Sequence, residues 1–290
     1  MAKNKSQIVY SPKQKAIRAL LWVLLAFVTF LVVFPVMYIV FGSFKANQEL
    51  LIGGSNIFPQ NWIIQNYIDA WNQANFAVYT KNSLFLSVGV MLISLFVASM
   101  AGYVFSRKTF PGKEVIYGIF TAFMFINVGS VSLRPLYELA TRMKINTSLW
   151  PVILFSAGGG QATYIFLCRG YVNSVPKELD EAGRIDGCGF FGIYARIVLP
   201  MLKPVMATIA ILSFRQGWND YILPRVFTMT NESLRPLTVG VNMLKNAGDG
   251  AAAWNIMFAG ATIAIIPILV VFICFSRYFM GGLTAGAVKG

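Results

Sequence analysis

The chain has 290 residues, 57% hydrophobic and only 12% charged, with 24 Lys and Arg against 11 Asp and Glu and a mean hydropathy of +0.63. A soluble domain carries about 25% charged residues, so the composition argues against a water-soluble globular fold. The absence of histidine removes His-ligated metal centres and His-based acid–base catalysis, and the scattered Cys168, Cys188 and Cys274 lack paired spacing for a metal or disulfide.

Five basic residues, Lys3, Lys5, Lys13, Lys15 and Arg18, precede the first uncharged run, Ala19–Phe41. Basic residues collect on the cytoplasmic side of membrane proteins, so residues 1–18 are expected to form a cytoplasmic segment. The run is too long for a signal-peptide core and has no evident small-residue cleavage site, so it is expected to remain as a span. Leu84–Phe105 and Ala251–Phe275 are similar runs of 22 and 25 residues. About 20 helical residues cover the roughly 30 Å hydrocarbon layer. An all-α integral membrane protein with six transmembrane helices follows, over residues 19–41, 84–105, 115–133, 148–168, 204–224 and 251–275. The third is only 19 residues long, the fourth carries Gly158-Gly159-Gly160, and the fifth contains charges.

Alternating sides from a cytoplasmic start puts 15 basic residues on the cytoplasmic segments and eight outside, with Arg215 left within a span. That bias agrees with both termini inside. It also explains the basic excess through membrane flanks, without nucleic acid. The longest outer connection, 42–81, holds Trp62, Tyr67, Trp71 and Phe76. These aromatics are read as interfacial anchors, with a solute-facing role as the alternative.

Between spans four and five, within a loop spanning 172–203, stands "ELDEAGRIDGCGFFGIYARIVLP", Glu178–Pro200. Four of the chain's 11 acids sit here: Glu178, Asp180, Glu181 and Asp186. Ser174 and Pro176 are helix-start signals, and the acids suit the positive end of a helix dipole. Leu179, Ala182, Gly183 and Asp186 are expected on one helical face, with Ala182 and Gly183 small enough for close backbone approach. Gly187 is expected to stop the helix in a left-handed cap. A second helix is expected from Gly189 to Val198, limited by Pro200.

Glu181-Ala182-Gly183, Gly187 and Ile197-Val198-Leu199-Pro200 resemble the cytoplasmic "EAA…G…I-LP" loop of ABC importer permeases. Gly183 stands where that family usually has Ala. "NSLFLSV", "GYVFSRKTFPGK", "WNDYILP" and "RYFMGGLTAGAVKG" narrow the resemblance to sugar-importing, maltose-type permeases, specifically the smaller of their two permease subunits. The resemblance implies an ABC importer permease fold in a bacterial cytoplasmic membrane, with residues 19–280 as the permease domain. It also implies a second permease subunit, two cytoplasmic ATPase subunits and an extracytoplasmic solute-binding protein. Glu178, Asp180, Glu181, Ala182, Gly183, Gly187, Ile197, Leu199 and Pro200 would form the coupling element docked on an ATPase subunit, the three acids presenting charge to it. The 281–290 tail would either reach into the ATPase pair or remain a flexible end.

No G-x-x-x-x-G-K-[ST] loop occurs, so the chain is expected to bind no cofactor, leaving ATP and Mg to the ATPase partners. "SAGGGQ" at 156–161 sits in an apolar span, where close packing or a kink is the expected meaning. Arg215, Trp218, Asn219 and Ile222 share a helical face, from which Asp220 points away. An indole, an amide and a guanidinium suit a sugar, so this face is one reading of the translocation path; a bridge from Arg215 to the partner permease is the other. The family leads one to expect an apolar residue at Arg215, and an always-charged bidentate donor suits an acidic saccharide. Gln161 and Asn127 either face the path or bond between helices. The competing functions are an ABC permease for an amino acid, peptide or phosphate, and an ATP-independent channel or secondary carrier.

Overall fold

The computed structural model describes residues 11–52, 56–126, 129–246 and 253–287, and no strand occurs among them. Ser11 starts the first helix, α1 (Pro12–Gly42), with a capping box: its hydroxyl accepts from the Gln14 amide while the Gln14 side chain accepts from Ser11 N–H. This cap extends the helix seven residues before the expected span, to 31 residues, or about 46 Å. Residues 12–37 of α1 are exposed, and its far end rests on α14 through Tyr38 and Phe258.

The connection after α1 folds into two short helices, α2 (Asn47–Ile52) and α3 (Gln65–Gln73). Its aromatics divide. Trp62 and Trp71 stay exposed, as interfacial anchors would. Tyr67 bonds Ser43 through its hydroxyl, and Phe76 is buried under the ring of Trp71, so these two serve the fold. Asn75, in the left-handed region at φ 45°, turns the chain into α4 (Phe76–Arg107).

The third expected span is interrupted. Helix α5 (Lys113–Phe123) has 11 residues, about 16 Å. A single 3-10 turn at Gly129–Ser132 and the amphipathic α6 (Leu133–Arg142) follow. The run is uncharged, but Gly129 takes φ 55°, which an α-helix does not contain. Helix α7 (Trp150–Ser174) is unbroken through its glycine tract. The loop carries α8 (Glu178–Ile185), α9 (Phe190–Ile193) and α10 (Leu199–Met201), and leads to α11 (Lys203–Asn219). Then come α12 (Ile222–Phe227), α13 (Leu237–Met243) and α14 (Trp254–Ala287). Helix α14 continues through the backbone of the expected tail as far as Ala287. Among the described residues, four helices are long and apolar enough to cross a membrane, α1, α4, α7 and the Trp254–Cys274 part of α14; a fifth arises if Phe190–Met201 and Lys203–Asn219, bent by 80°, form one span.

Helices α4, α7 and α11 pack on one another and form the centre. Leu86, Val90 and Ile153 fill one end of the interface; Ile165, Val198 and Ile209 fill the end nearer the loop. Phe214 and Trp218 turn from α11 toward α14. Because lipid tails are as apolar as leucine, such contacts stabilise through packing and hydrogen bonds more than through water exclusion.

One buried amide joins three segments at the end remote from the loop. Asn66 of α3 donates to Ser43 O and Lys45 O, at 2.8 and 2.9 Å, and accepts from Asn255 of α14 at 2.8 Å. Asn66→Leu leaves these groups without partners, at a cost of about 1–3 kcal/mol per orphaned group. A clearly lower melting temperature is expected in detergent, whereas an unchanged melt would show that the amide does not hold this corner.

Candidate functional site

The 172–203 loop begins where Ser174 ends α7 and Val175 becomes extended. Helix α8 follows with Glu178, Asp180 and Glu181 in its first turn and Arg184 in its last, the order its dipole favours. Its inward face comprises Leu179, Asp180 and Gly183. A Cβ on Gly183 would stand 2.7 Å from Ile197 Cδ1, so only glycine fits without movement. Asp186 follows the last helical residue, and Gly187 takes the left-handed conformation expected of it, φ 78°.

Several expectations for this loop are corrected. Ala182 and Asp186 are exposed and do not share the packed face with Leu179 and Gly183. Asp180 is 4% exposed and turned into the protein, so it does not present charge outward with Glu178 and Glu181. Its Oδ1 accepts from the Tyr103 hydroxyl at 2.9 Å, and its Oδ2 lies 3.0 Å from Arg107 Nε. The outward surface instead pairs Glu178, Glu181 and Ala182 with two exposed apolar side chains, Ile185 and Phe191. Ile185 stands one turn beyond Ala182, a spacing that could have identified it.

Pro200 does not end the second helix. The chain runs from α9 through a π-turn at Tyr194–Val198, where Leu199 N–H bonds Tyr194 O, into α10. A wider turn beside Pro200 accommodates a ring that would otherwise press on the carbonyl four residues back. Ile197 and Leu199 are half-buried and Pro200 is exposed. The break comes at the fully buried Leu202, followed by Pro204 in the first turn of α11.

At the other end of α11 lies a groove of about 540 Å³, walled by Gly160, Thr163 and Tyr164 of α7 and by Leu212, Arg215, Gln216, Asn219 and Asp220. Of the glycine tract, Gly160 is the position that needs glycine: a Cβ there would fall 2.6 Å from Gln216 Oε1 and from the Tyr164 ring, whereas one at Gly158 would meet nothing within 4 Å. Close approach, not interruption, is its meaning. Tyr164 donates to Gln216 Oε1 at 2.9 Å, Gln216 Nε2 donates to Ser156 O at 2.6 Å, and Ser156 Oγ donates to Asp220 Oδ2 at 2.9 Å. This chain orders one wall. The Arg215 guanidinium has no ion pair or hydrogen bond among the described residues.

The proposed helical face is only partly present. Arg215 and Asn219 line the groove. Trp218 is 3% exposed, stacked on Phe214, and donates its indole N–H to Ala264 O at 3.3 Å. Three residues turn a helix through about 300°, so Trp218 falls toward α14 while Asn219 stays near Arg215. Ile222 leaves the face because α11 ends at Asn219; it begins α12, exposed. The same break brings Asp220 into the groove, against expectation. Gln161 is buried, with no hydrogen-bond partner for its amide among the described residues. Asn127 lies outside the described residues.

Long apolar helices around a tight three-helix centre, with a helical loop at one end and a polar groove within, define a membrane permease. Residues 10–283 match the family of the binding-protein-dependent transport system inner membrane component, and the chain belongs to it. It is similar to the arabinooligosaccharides transport system permease protein AraQ of Halalkalibacterium halodurans, 32% identical over 285 residues covering 96% of this chain and 100% of AraQ. It is also similar to the galactooligosaccharides transport system permease protein GanQ of Bacillus subtilis, 32% identical over 272 residues covering 93% and 94% of the two chains. Among solved structures, a chain of a bacterial ABC transporter involved in the import of the acidic polysaccharide alginate has the same fold. The TM-score is 0.79 at 22% identity, covering 94% of this chain and 100% of that one. The protein is thus a membrane component of a transport system with the ABC importer permease fold, and not an enzyme.

A valine at Gly160 drives its side chain into Gln216 and Tyr164. Uptake per membrane-inserted molecule is expected to fall about tenfold or more. Gly158→Ala, which meets nothing within 4 Å, should stay within about twofold of the parent, because alanine favours the helix.

Proposed function

We propose that the chain is one of two permease subunits of an ATP-driven importer for an oligosaccharide, with six spans and both termini in the cytoplasm. The interrupted stretch from α5 to α6 is read as a broken third span, and the bent Phe190–Asn219 segment as the fifth. The 15-to-eight bias of basic residues supports this orientation. Oligosaccharide as the solute class rests on AraQ, GanQ and the maltodextrin transport system permease protein MdxG of Bacillus subtilis, 28% identical over 270 residues.

One observation carries the mechanism: the loop exposing Glu178, Glu181, Ala182, Ile185 and Phe191 is continuous, through the bend at Leu202, with the helix that walls the groove. Acid groups around an apolar centre suit a basic-rimmed, apolar cleft on an ATPase subunit. Gly183, Gly187, Ile197, Leu199 and Pro200 shape the loop, and Asp180 anchors it. Two ATPase subunits bind ATP and Mg and pull the loop; α11 responds, and the groove changes access. Thr163, Asn219 and Arg215 offer hydrogen bonds to sugar hydroxyls. A solute-binding protein delivers the sugar from outside, as suggested by a similar chain from a bacterial alginate ABC transporter in complex with alginate pentasaccharide-bound periplasmic protein, TM-score 0.63 at 15% identity.

Deleting the chain should abolish uptake of at least one member of a panel of arabino-, galacto- and malto-oligosaccharides, and a cysteine replacing Ala182 should cross-link to an ATPase subunit. Unchanged uptake across the panel would overturn the solute class, and failure to cross-link would overturn the docking. The unpaired Arg215 supports a second reading, a carboxylate-bearing saccharide. Arg215→Leu should then reduce uptake of uronate-containing oligosaccharides about tenfold while sparing neutral ones. An equal effect on both classes would remove this reading.

A further inference from the structure

Of the loop's four acids, Asp180 alone is fully turned inward, and both carboxylate oxygens meet α4. Oδ1 takes the Tyr103 hydrogen bond; Oδ2 and Arg107 Nε are in ionic contact at 3.0 Å but out of line for a hydrogen bond. Arg107 has a second attachment: Nη2 donates to Val175 O at 2.7 Å, where α7 turns into the loop. The Tyr103 ring stacks on Phe190 at 4.9 Å and lies 5.4 Å from Tyr194, whose hydroxyl bonds Ser99. The last turns of α4 thus hold the end of α7 and both helical parts of the loop.

A buried ion pair is a poor device for stability alone, since well-packed apolar residues often do as well or better. It does fix one geometry, because a displaced partner leaves a charge without compensation. The two exits of the loop differ accordingly. Toward α4 and α7 it is clamped by this cluster; toward α11 it passes through the 80° bend at Leu202. The groove walls divide the same way, Gly160, Thr163 and Tyr164 on α7 and Leu212, Arg215, Gln216 and Asn219 on α11.

We propose that Arg107, Asp180 and Tyr103 are positioning residues that lock the loop to α4 and α7, so that these move as one body and α11 hinges against them at Leu202. Resting on the ATPase-driven reading above, this makes the groove the gap between a driven body and a hinged wall. An intact ion pair is required for a pull on the loop to change the groove.

The test uses the intact complex in inside-out vesicles, with Cys188 and Cys274 replaced by serine and a cysteine at the exposed Thr163 as reporter. Labelling by a membrane-impermeant maleimide is compared without nucleotide and with ATP plus vanadate. The parent rate should change about fivefold or more. Arg107→Gln should reduce that change below about twofold while the complex still hydrolyses ATP, and Arg107→Lys, which keeps the charge, should restore at least about half of it. No change in the parent overturns the ATPase-driven reading itself. A full change in Arg107→Gln, or a proportionate loss of hydrolysis and labelling change, overturns the positioning role. If Arg107→Gln does not reach the membrane, Tyr103→Phe decides: removing one hydroxyl should lower the nucleotide-dependent change about threefold, and an undiminished change overturns the proposal.

Discussion

Lipid supplies no water to an interrupted helix, so each break must be covered by protein or face a wet path. Two breaks in this chain meet that constraint in opposite ways. Leu202, at the sharp turn into α11, is completely buried against the central helices. Asp220, at the other end of α11, lines the groove, and its groups are occupied: its N–H bonds Gln216 O, its carbonyl accepts from Thr238, and its carboxylate from Ser156. Helix α11 is therefore a rod with a buried joint at one end and a hydrogen-bonded stop facing the groove at the other. Its position determines both the bend and the shape of the groove.

Polar contacts supply much of the specificity that apolar packing cannot supply in lipid. The Asn66 amide at one end of the molecule and the Asp180 carboxylate at the other each join segments distant in sequence. Neither is placed to contact a solute. Both fix the relative position of helices whose apolar surfaces alone would permit more than one register, and the small residues Gly160 and Gly183 let side chains from a neighbouring segment close the remaining distance.

The uncharged runs made α1, α4, α7 and α14 legible in the sequence, and the acid-rich stretch with its glycines marked the helical loop between α7 and α11. What escaped was information carried by partners far along the chain. Asp180 looks like its neighbours Glu178 and Glu181 until Arg107 and Tyr103 are brought beside it by the pairing of α4 with α7. Trp218 looks like a sugar platform until α14 arrives to accept its indole hydrogen bond. Helical periodicity carried past Asn219 groups Ile222 with Arg215 and turns Asp220 away, but the helix stops at Asn219, so Ile222 leaves that face and Asp220 enters the groove. An uncharged run likewise carries no sign that Gly129 takes a positive φ and interrupts the third expected span.

The contact between Trp218 and Ala264 reaches further than its own bond. Three residues on, Pro267 has no N–H, so the carbonyl of Ile263 lacks its usual rung within α14. A helix bends most cheaply beside such a missing rung. The indole grips the backbone in that turn, so any tilt of α11 arrives at the most pliant part of its neighbour, and the two would flex as a pair.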